Sequence, residues 1–211
     1  MMFDESMLYS LLKTTIKIER KFMRKTIRKT AAKLLLAMSV GATGVVSANE
    51  VELSISDELI DLRFTNDFEQ NFHGKLGLMH SDVKENNTDI NTNYVSYQFY
   101  TQDTVDRFDL QLGAKAFWLD VEDDDGFGIA LGAGVAFAVI DKLSLGLDVY
   151  YTPDVISSGD IENTLDIDLR LAYQMLENGQ LFIGYRRFDA DFEKGDVDIY
   201  DDAYFGVKFS F

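Results

Sequence analysis

Residues 106–118 read DRFDLQLGAKAFW, and apolar and polar side chains alternate along this stretch. Successive side chains of a β-strand point to opposite faces, so one face of this strand is apolar and the other is mostly polar. Residues 127–139 repeat the pattern, with small side chains on the second face. Strands of this kind fit either a soluble sandwich or a closed barrel in lipid.

Ten segments of the chain alternate in this way. They are residues 50–56, 59–65, 72–80, 94–100, 106–118, 127–139, 143–151, 164–173, 181–188 and 203–211. No stretch after residue 48 is apolar enough for a membrane-spanning helix, so a closed barrel is the structure with which this part of the chain would cross a membrane. We predict an all-β fold, a small antiparallel transmembrane β-barrel of about ten strands. Eight strands are the alternative if residues 50–65 are irregular.

The predicted connections alternate in length and charge. Residues 81–93, 119–126, 152–163 and 189–202 are long and acidic, whereas residues 66–71, 101–105, 140–142 and 174–180 are shorter. Bacterial barrels have longer extracellular loops and short periplasmic turns, which matches this alternation. The very tight first loop, residues 56–58, departs from it.

The first 48 residues contain the pattern of an export signal. A basic region over residues 24–33 precedes an apolar run over residues 34–46, and Val46 and Ala48 place small side chains where an export peptidase reads them. The run is shorter than the roughly 20 residues that a transmembrane helix needs. We predict an upstream extension (1–22), a signal peptide (23–48) and the barrel (49–211).

The charge of the chain is concentrated in the predicted barrel. Residues 1–48 hold 9 of the 20 Lys and Arg but only 3 of the 36 Asp and Glu, which leaves 11 basic and 33 acidic side chains in residues 49–211. So acidic a protein is not expected to bind nucleic acid. The absence of cysteine fits an exported protein without disulfides.

The predicted inward face carries basic and acidic side chains in equal number. They are Arg63, Lys75, Arg107, Lys115, Arg170, Arg186 and Lys208, with Glu50, Glu52, Asp61, Asp109, Asp148, Asp166 and Asp168. An unpaired charge is costly in a narrow interior, so we predict an ionic network that fills the lumen. A narrow polar channel lined by the same charges is the alternative, since a barrel of this size is too small for a wide pore.

One acidic loop is a candidate cation site. It contains Asp120, Glu122, Asp123, Asp124 and Asp125. Carboxylate oxygens are the ligands that calcium and magnesium prefer, so weak binding of either ion is an expectation here, with a solvated acidic loop as the simpler alternative. No other cofactor is predicted.

The histidines after residue 48, His73 and His80, are the candidates for catalytic chemistry. His80 stands beside Ser81, but adjacent residues of a strand face opposite ways, so they make a poor base and nucleophile pair. We therefore predict no enzymatic activity. A lipid-modifying or proteolytic barrel is the competing class.

Residues 150–155 read YYTPDV, 173–176 read YQML, 184–187 read GYRR and 202–207 read DAYFGV. These four stretches resemble the YfaZ family of outer-membrane proteins, and the acidic residues before 127–139 are also similar. The resemblance implies an outer-membrane barrel of undetermined role, sometimes called porin-like. It supplies no catalytic motif.

The last strand ends on Phe209, Ser210 and Phe211. The terminal phenylalanine resembles the C-terminal signal by which bacterial outer-membrane barrels are recognised for assembly. We accordingly predict the outer membrane of a Gram-negative bacterium as the location, reached by export through the inner membrane. The expected partners are the barrel-assembly machinery, outer-membrane lipids and lipopolysaccharide.

Deletion of Phe211 is expected to reduce the amount of protein in the outer membrane. Burial of its ring at a lipid-facing rim contributes only about 1–2 kcal/mol, so the loss would reflect assembly more than stability. Immunoblots of outer-membrane fractions measure this, with Phe205→Ala on the same strand face as the control. Equal levels of wild type and deletion would contradict the assembly role.

Overall fold

A computed structural model describes residues 49–211, with the exception of residues 70, 86–87, 123 and 193–194. The predicted extension (1–22) and signal peptide (23–48) lie outside the described residues and stay predictions. Among the described residues, no helix has the length and apolar character needed to cross a membrane.

Strands make up nearly all of the described chain. They are β1 (Glu50–Ile55), β2 (Leu59–Glu69), β3 (Phe72–Glu85), β4 (Thr88–Val105), β5 (Phe108–Val121), β6 (Asp124–Ile140), β7 (Leu143–Thr152), β8 (Ser157–Gly159), β9 (Ile161–Leu176), β10 (Gly179–Phe192) and β11 (Gly195–Ser210). A 3-10 turn, Asp154–Ile156, precedes β8.

Ten of the described strands form a closed antiparallel ring. β1 to β7 pair in sequence, β7 continues to β9, β10 and β11, and β11 returns to β1. The closing seam places Val51 opposite Phe209 and Ile55 opposite Phe205. The short β8 adds to the start of β6 outside the ring. The predicted ten-stranded barrel is confirmed, and the eight-stranded and sandwich alternatives are wrong.

Tight turns lie at one end of the ring. The turns that join the strands there are residues 106–107, 141–142 and 177–178. β1 begins and β11 ends at this same end of the ring. Bacterial barrels keep their short turns and termini on the periplasmic side, so this end is named the periplasmic end and the opposite one the outer end. The first outer connection, residues 56–58, is as short as predicted, and Ser56 N–H donates to Leu59 O at 2.9 Å.

The prediction of long outer loops is wrong at three of four places. β3 and β4 leave just residues 86–87 between them, where a loop over residues 81–93 was expected. Residues 119–126 and 189–202 likewise lie mostly in strands. Only residues 152–163 contain a longer connection, with the 3-10 turn and β8 in it. The ring of strands therefore rises well above the segments that the sequence predicted.

An apolar band surrounds the lower part of the barrel. Its exposed, outward side chains include Phe72, Leu76, Phe99, Leu110, Leu112, Ile129, Leu131, Leu171, Ile183 and Phe209. Exposed Phe108 and Tyr173 lie towards the periplasmic end, and Phe127 and Tyr151 lie towards the outer end, which matches the two aromatic girdles of bacterial barrels. A band of this kind is suited to contact with hydrocarbon.

The polarity of the strands inverts above this band. On β5, Leu110 and Leu112 are exposed on the outside, but Phe117, Leu119 and Val121 are buried on the inside. On β10, the buried residues after Arg186 are likewise apolar and alternate with polar outward ones. Where water replaces lipid outside a barrel, apolar side chains are stable only inside it, so the inversion marks the outer boundary of the membrane.

The buried apolar side chains at the outer end form a cluster that we name the outer core. Its larger members are Leu59, Met79, Tyr94, Phe117, Leu119, Val121, Ile161, Phe188, Phe192, Ile199 and Tyr200. The Tyr94 ring lies 5.5 Å from that of Phe117 and 5.1 Å from that of Phe188. Ser81 Oγ donates to Ile199 O at 3.0 Å and thereby joins β3 to β11 across the short β1–β2 hairpin. The outer end is thus packed like the interior of a soluble protein.

Leu119→Ala is expected to lower the free energy of unfolding by about 2–5 kcal/mol, because it leaves a cavity in the outer core. Asp120→Ala, one residue further and on the outer surface, is the matched control and should change it little. Urea unfolding in detergent micelles, followed by the fluorescence of the single tryptophan, Trp118, measures both. Equally small effects would mean that these residues form a solvated loop.

Candidate functional site

Eight inward charges form one connected series of ion pairs, which we name the ionic chain. Its first five members pair in the order Lys115, Asp166, Arg186, Asp61 and Arg63. Arg63 and the last basic member, Arg170, each pair with both Glu52 and Asp168. Four are basic and four acidic, so the series is neutral when all are ionised. It crosses the lumen just below the outer core.

Arg186 holds the upper part of the ionic chain together. Its Nε and Nη2 donate to the two oxygens of Asp166 at 2.8 and 2.9 Å, and its Nη1 donates to Asp61 at 3.1 Å. Lys115 Nζ donates to Asp166 at 2.7 Å. The side chains of Arg186 and Asp61 are each only 3% exposed, so these pairs are shielded from water.

Arg63 and Arg170 form the lower part of the ionic chain. Arg63 lies 2.6 Å from Asp61, 3.2 Å from Glu52 and 3.5 Å from Asp168. Arg170 lies 2.8 Å from Glu52 and 3.2 Å from Asp168. Each carboxylate here therefore has two cationic neighbours, which offsets the cost of removing it from water.

Strand alternation and register position the ionic chain. On β9, Asp166, Asp168 and Arg170 are two residues apart, so all three point inwards. Between strands, Arg63 lies directly opposite Glu52 on β1, and Arg186 on β10 lies opposite Asp168. Side chains in facing or diagonal positions of neighbouring strands lie close enough to pair, and Arg186 pairs with Asp166, which is diagonal to it.

Aromatic rings support the cations of the ionic chain. Lys115 Nζ lies 4.4 Å from the centre of the Tyr150 ring, and the Arg170 guanidinium lies 4.3 Å from that of Phe182. Such contacts favour a cation electrostatically. The Tyr150 hydroxyl accepts hydrogen bonds from Gln98 at 2.6 Å and from Gln111 at 3.0 Å. The polar groups around the chain are thus held in place.

Two cavities lie below the outer core. The central one, beside the ionic chain, has a volume of about 40 Å³, enough for a few water molecules at most. The other, which we name the periplasmic vestibule, has about 230 Å³ and includes Glu50, Asp109 and Gln180 in its wall. These residues adjoin the turns and the barrel's chain ends, so the vestibule lies at the periplasmic mouth.

Lys75, Gln111 and Asp148 line both cavities. Lys75 and Asp148 point inwards as predicted but stand outside the ionic chain. Lys75 Nζ lies 5.1 Å from the centre of the Tyr100 ring. Within the described part of the chain, neither Lys75 nor Asp148 makes a direct ion pair.

The remaining predicted lumen residues lie at the periplasmic mouth. Lys208 pairs with Glu50 at 3.4 Å, and Thr104 Oγ1 donates to Asp109 at 2.6 Å. Arg107 is exposed in the turn before β5, so the prediction that it points into the lumen is wrong. The turn begins with Asp106 at φ 55°, and strand alternation does not extend through a left-handed residue of this kind.

The structure does not gather the described members of the acidic loop around a common point. Asp120 and Asp125 face each other across β5 and β6, and Asn93 donates to Asp120 at 3.2 Å. Asn91 donates to Glu122 from its backbone N–H and its side chain, and these hydrogen bonds lower the pKa of Glu122. No group of three or more candidate ligands among the described residues could hold a metal ion. Asp123 lies outside the described residues, so the cation site stays a prediction.

His80 and Ser81 point to opposite faces, as strand alternation predicts. His80 Nδ1 lies 3.0 Å from Asn93 Oδ1 on the outer surface, whereas Ser81 points inwards to Ile199. The two side chains therefore do not form a base and nucleophile pair. His73, at the periplasmic end, lies 2.6 Å from Asp67 and stacks on Tyr100.

Sequence reasoning missed the outer core. Phe117, Leu119 and Val121 continue the alternation of β5, but with the apolar side chains on the inward positions. Phe188 and Phe192 do the same on β10. This change of the apolar residues from outward to inward positions is visible in the sequence. It could have shown that the strands continue beyond the membrane into the surrounding water.

A closed ring of ten strands with an apolar band outside and a polar interior has the architecture of a small bacterial outer-membrane barrel. The sequence model of one family, described as YfaZ precursor, matches residues 24–211. The chain belongs to this family. Among curated proteins, none matches this sequence.

Several solved structures are similar to this chain at low sequence identity. The KdgM porin in complex with disordered oligogalacturonate is 12% identical, with 77% of this chain and 98% of that one covered and a TM-score of 0.40. The NanC porin is 10% identical with the same coverage and a TM-score of 0.41. OmpT of Vibrio cholerae is 14% identical over 72% of this chain, with a TM-score of 0.39. This chain spans about half of the length of OmpT, since 56% of it is covered.

Arg186→Met is expected to lower the free energy of unfolding by about 3–5 kcal/mol, because it leaves the buried Asp166 and Asp61 short of a partner. The neighbouring Arg187→Met is the control. Arg187 is exposed on the outer surface and pairs with Asp189, so its loss should have little effect. Urea unfolding in micelles compares the two variants. A small effect of Arg186→Met would show that the ionic chain does not stabilise the barrel.

Proposed function

We propose that this protein is a structural barrel of the outer membrane whose lumen is closed to solutes. The single observation that carries the proposal is the outer core, which fills the inside of the ring directly above the ionic chain. A solute in the vestibule would have to pass both layers. Phe117, Leu119 and Phe188 are at most 5% exposed, which supports a closed state.

The two layers oppose passage in different ways. The ionic chain offers an ion no free counter-charge, because its four basic and four acidic groups already pair with one another. The outer core excludes water, and an apolar constriction stops ions by dewetting. Both layers would have to rearrange for conduction.

A narrow porin-like role is the second candidate. One observation favours it: the central cavity and the vestibule share Lys75, Gln111 and Asp148, so polar surface extends from the periplasmic mouth to the ionic chain. This role requires that the outer core moves aside. An enzymatic role is the weakest candidate, since His80 and Ser81 face apart.

The proposal includes the route to the membrane and the contacts there. Residues 23–48 would direct export through the inner membrane, and Phe209 and Phe211 would mark the barrel for the assembly machinery. Phe211 is 82% exposed at the periplasmic rim, where such machinery could reach it. Around the outer boundary, the acidic outward side chains would lie among lipopolysaccharide head groups, where weakly bound calcium or magnesium would be expected.

Planar-bilayer recording of the purified protein tests the closed state. We expect no stable conductance steps from the wild type. A variant with Phe117→Ala, Leu119→Ala and Phe188→Ala should conduct more if it still folds, because it removes three large side chains of the apolar layer. Large, stable nanosiemens steps from the wild type would overturn the proposal, and small stable steps would favour the narrow channel.

A further inference from the structure

We infer that the periplasmic vestibule binds a small zwitterion, a molecule with one ammonium and one carboxylate group, such as an amino acid or a short peptide. The inference goes beyond the proposed barrel role. A closed lumen makes the vestibule a blind pocket, entered from the periplasmic mouth and ended by the ionic chain.

Most charges in the vestibule wall already have partners. Arg170 pairs with Glu52 at 2.8 Å, and Lys208 pairs with Glu50 at 3.4 Å. Asp109 accepts a hydrogen bond from Thr104. These groups line the pocket, but because they are already paired, a ligand would add less favourable interaction energy to them.

Lys75 and Asp148 differ from these charges, because neither makes a direct ion pair with a described residue. They belong to β3 and β7, which lie four strands apart along one side of the ten-stranded ring, so the two side chains enter the lumen from nearly opposite walls. Both line the vestibule and the central cavity, yet they make no direct ion pair with each other or with another described residue. One positive and one negative group thus face the same small space without an ion-pair partner among the described residues.

A zwitterion matches this arrangement. Its carboxylate would accept from the Lys75 ammonium, and its ammonium would donate to the Asp148 carboxylate, so that both inward charges are paired at once. An anion or a cation alone would pair one group and leave the other uncompensated. The Gln111 side chain, which also lines the space, could supply either a donor or an acceptor.

The size and shape of the vestibule restrict the ligand further. Its volume of about 230 Å³ lies below the roughly 300–1,000 Å³ of drug-sized pockets, which suits an amino acid or a dipeptide. The Asp148 carboxylate lies against the backbone of Gly134 on β6, where a Cβ atom would overlap Oδ1. Glycine at this position therefore sets where the carboxylate stands.

Titration of the isotope-labelled, micelle-folded protein with diglycine, followed by NMR, tests the inference. We expect saturable shifts of signals from the vestibule wall. N-acetylglycine lacks the ammonium and glycinamide lacks the carboxylate, so each should bind the wild type about tenfold more weakly or worse. This comparison needs no substitution and is independent of the conductance measurement.

Variants localise the binding. Lys75→Met, Asp148→Asn and Gly134→Ala should each weaken diglycine binding about tenfold or more. Lys142→Met removes a lysine from the exposed turn between β6 and β7 and should leave binding unchanged. Dispersed NMR spectra identify the variants that fold. The inference is overturned if diglycine causes no saturable shift, if N-acetylglycine binds equally well, or if folded Lys75 and Asp148 variants bind like the wild type.

Discussion

The contact between Arg186 and Asp166 is the interaction on which the rest of the interior depends. Arg186 reaches both oxygens of Asp166 and also Asp61, and through them it connects β10, β9 and β2 across the lumen. A ring of ten strands encloses too little space to hydrate these charges, so each must find its partner inside the protein. Pairing them fills the middle of the barrel, and a structure that satisfies its charges in this way has little room left for a pore.

Two solvents outside the barrel explain the layers inside it. Beside hydrocarbon, the strands carry apolar side chains outwards and the ionic chain inwards; beside water, the pattern reverses and the outer core forms. The barrel thus has a lipid-facing part with a polar interior and a water-facing part with an apolar interior. The boundary between them, near Lys115 and Phe117 on β5, is also the place where we propose that the lumen closes. At the other end, the described residues place no apolar layer over the vestibule, whose wall is largely polar.

Alternation along the chain predicted the strands, their number and the inward charges, because period two is the direct consequence of strand geometry. The predictions from alternation were wrong where a strand ended in a turn and where the apolar side chains changed from the outward to the inward positions of a strand. Arg107 lies in a turn, and the described parts of residues 119–126 and 189–202 lie mostly in strands whose apolar side chains face inwards. The pairing within the lumen could not be predicted, since Arg63 and Asp168 meet only through closure of the ring. The separation of Lys75 and Asp148 from the ionic chain likewise depends on how the strands pair around the closed ring.

Accessibility of introduced cysteines tests the closed outer end most directly, because the chain has no cysteine of its own. Val121 is 4% exposed in the outer core, and its neighbour Asp120 faces outwards. The account predicts that a membrane-impermeant maleimide labels Asp120→Cys on intact cells but labels Val121→Cys only after denaturation. Equal labelling of the two folded variants would mean that water fills the outer lumen, and would contradict a closed barrel.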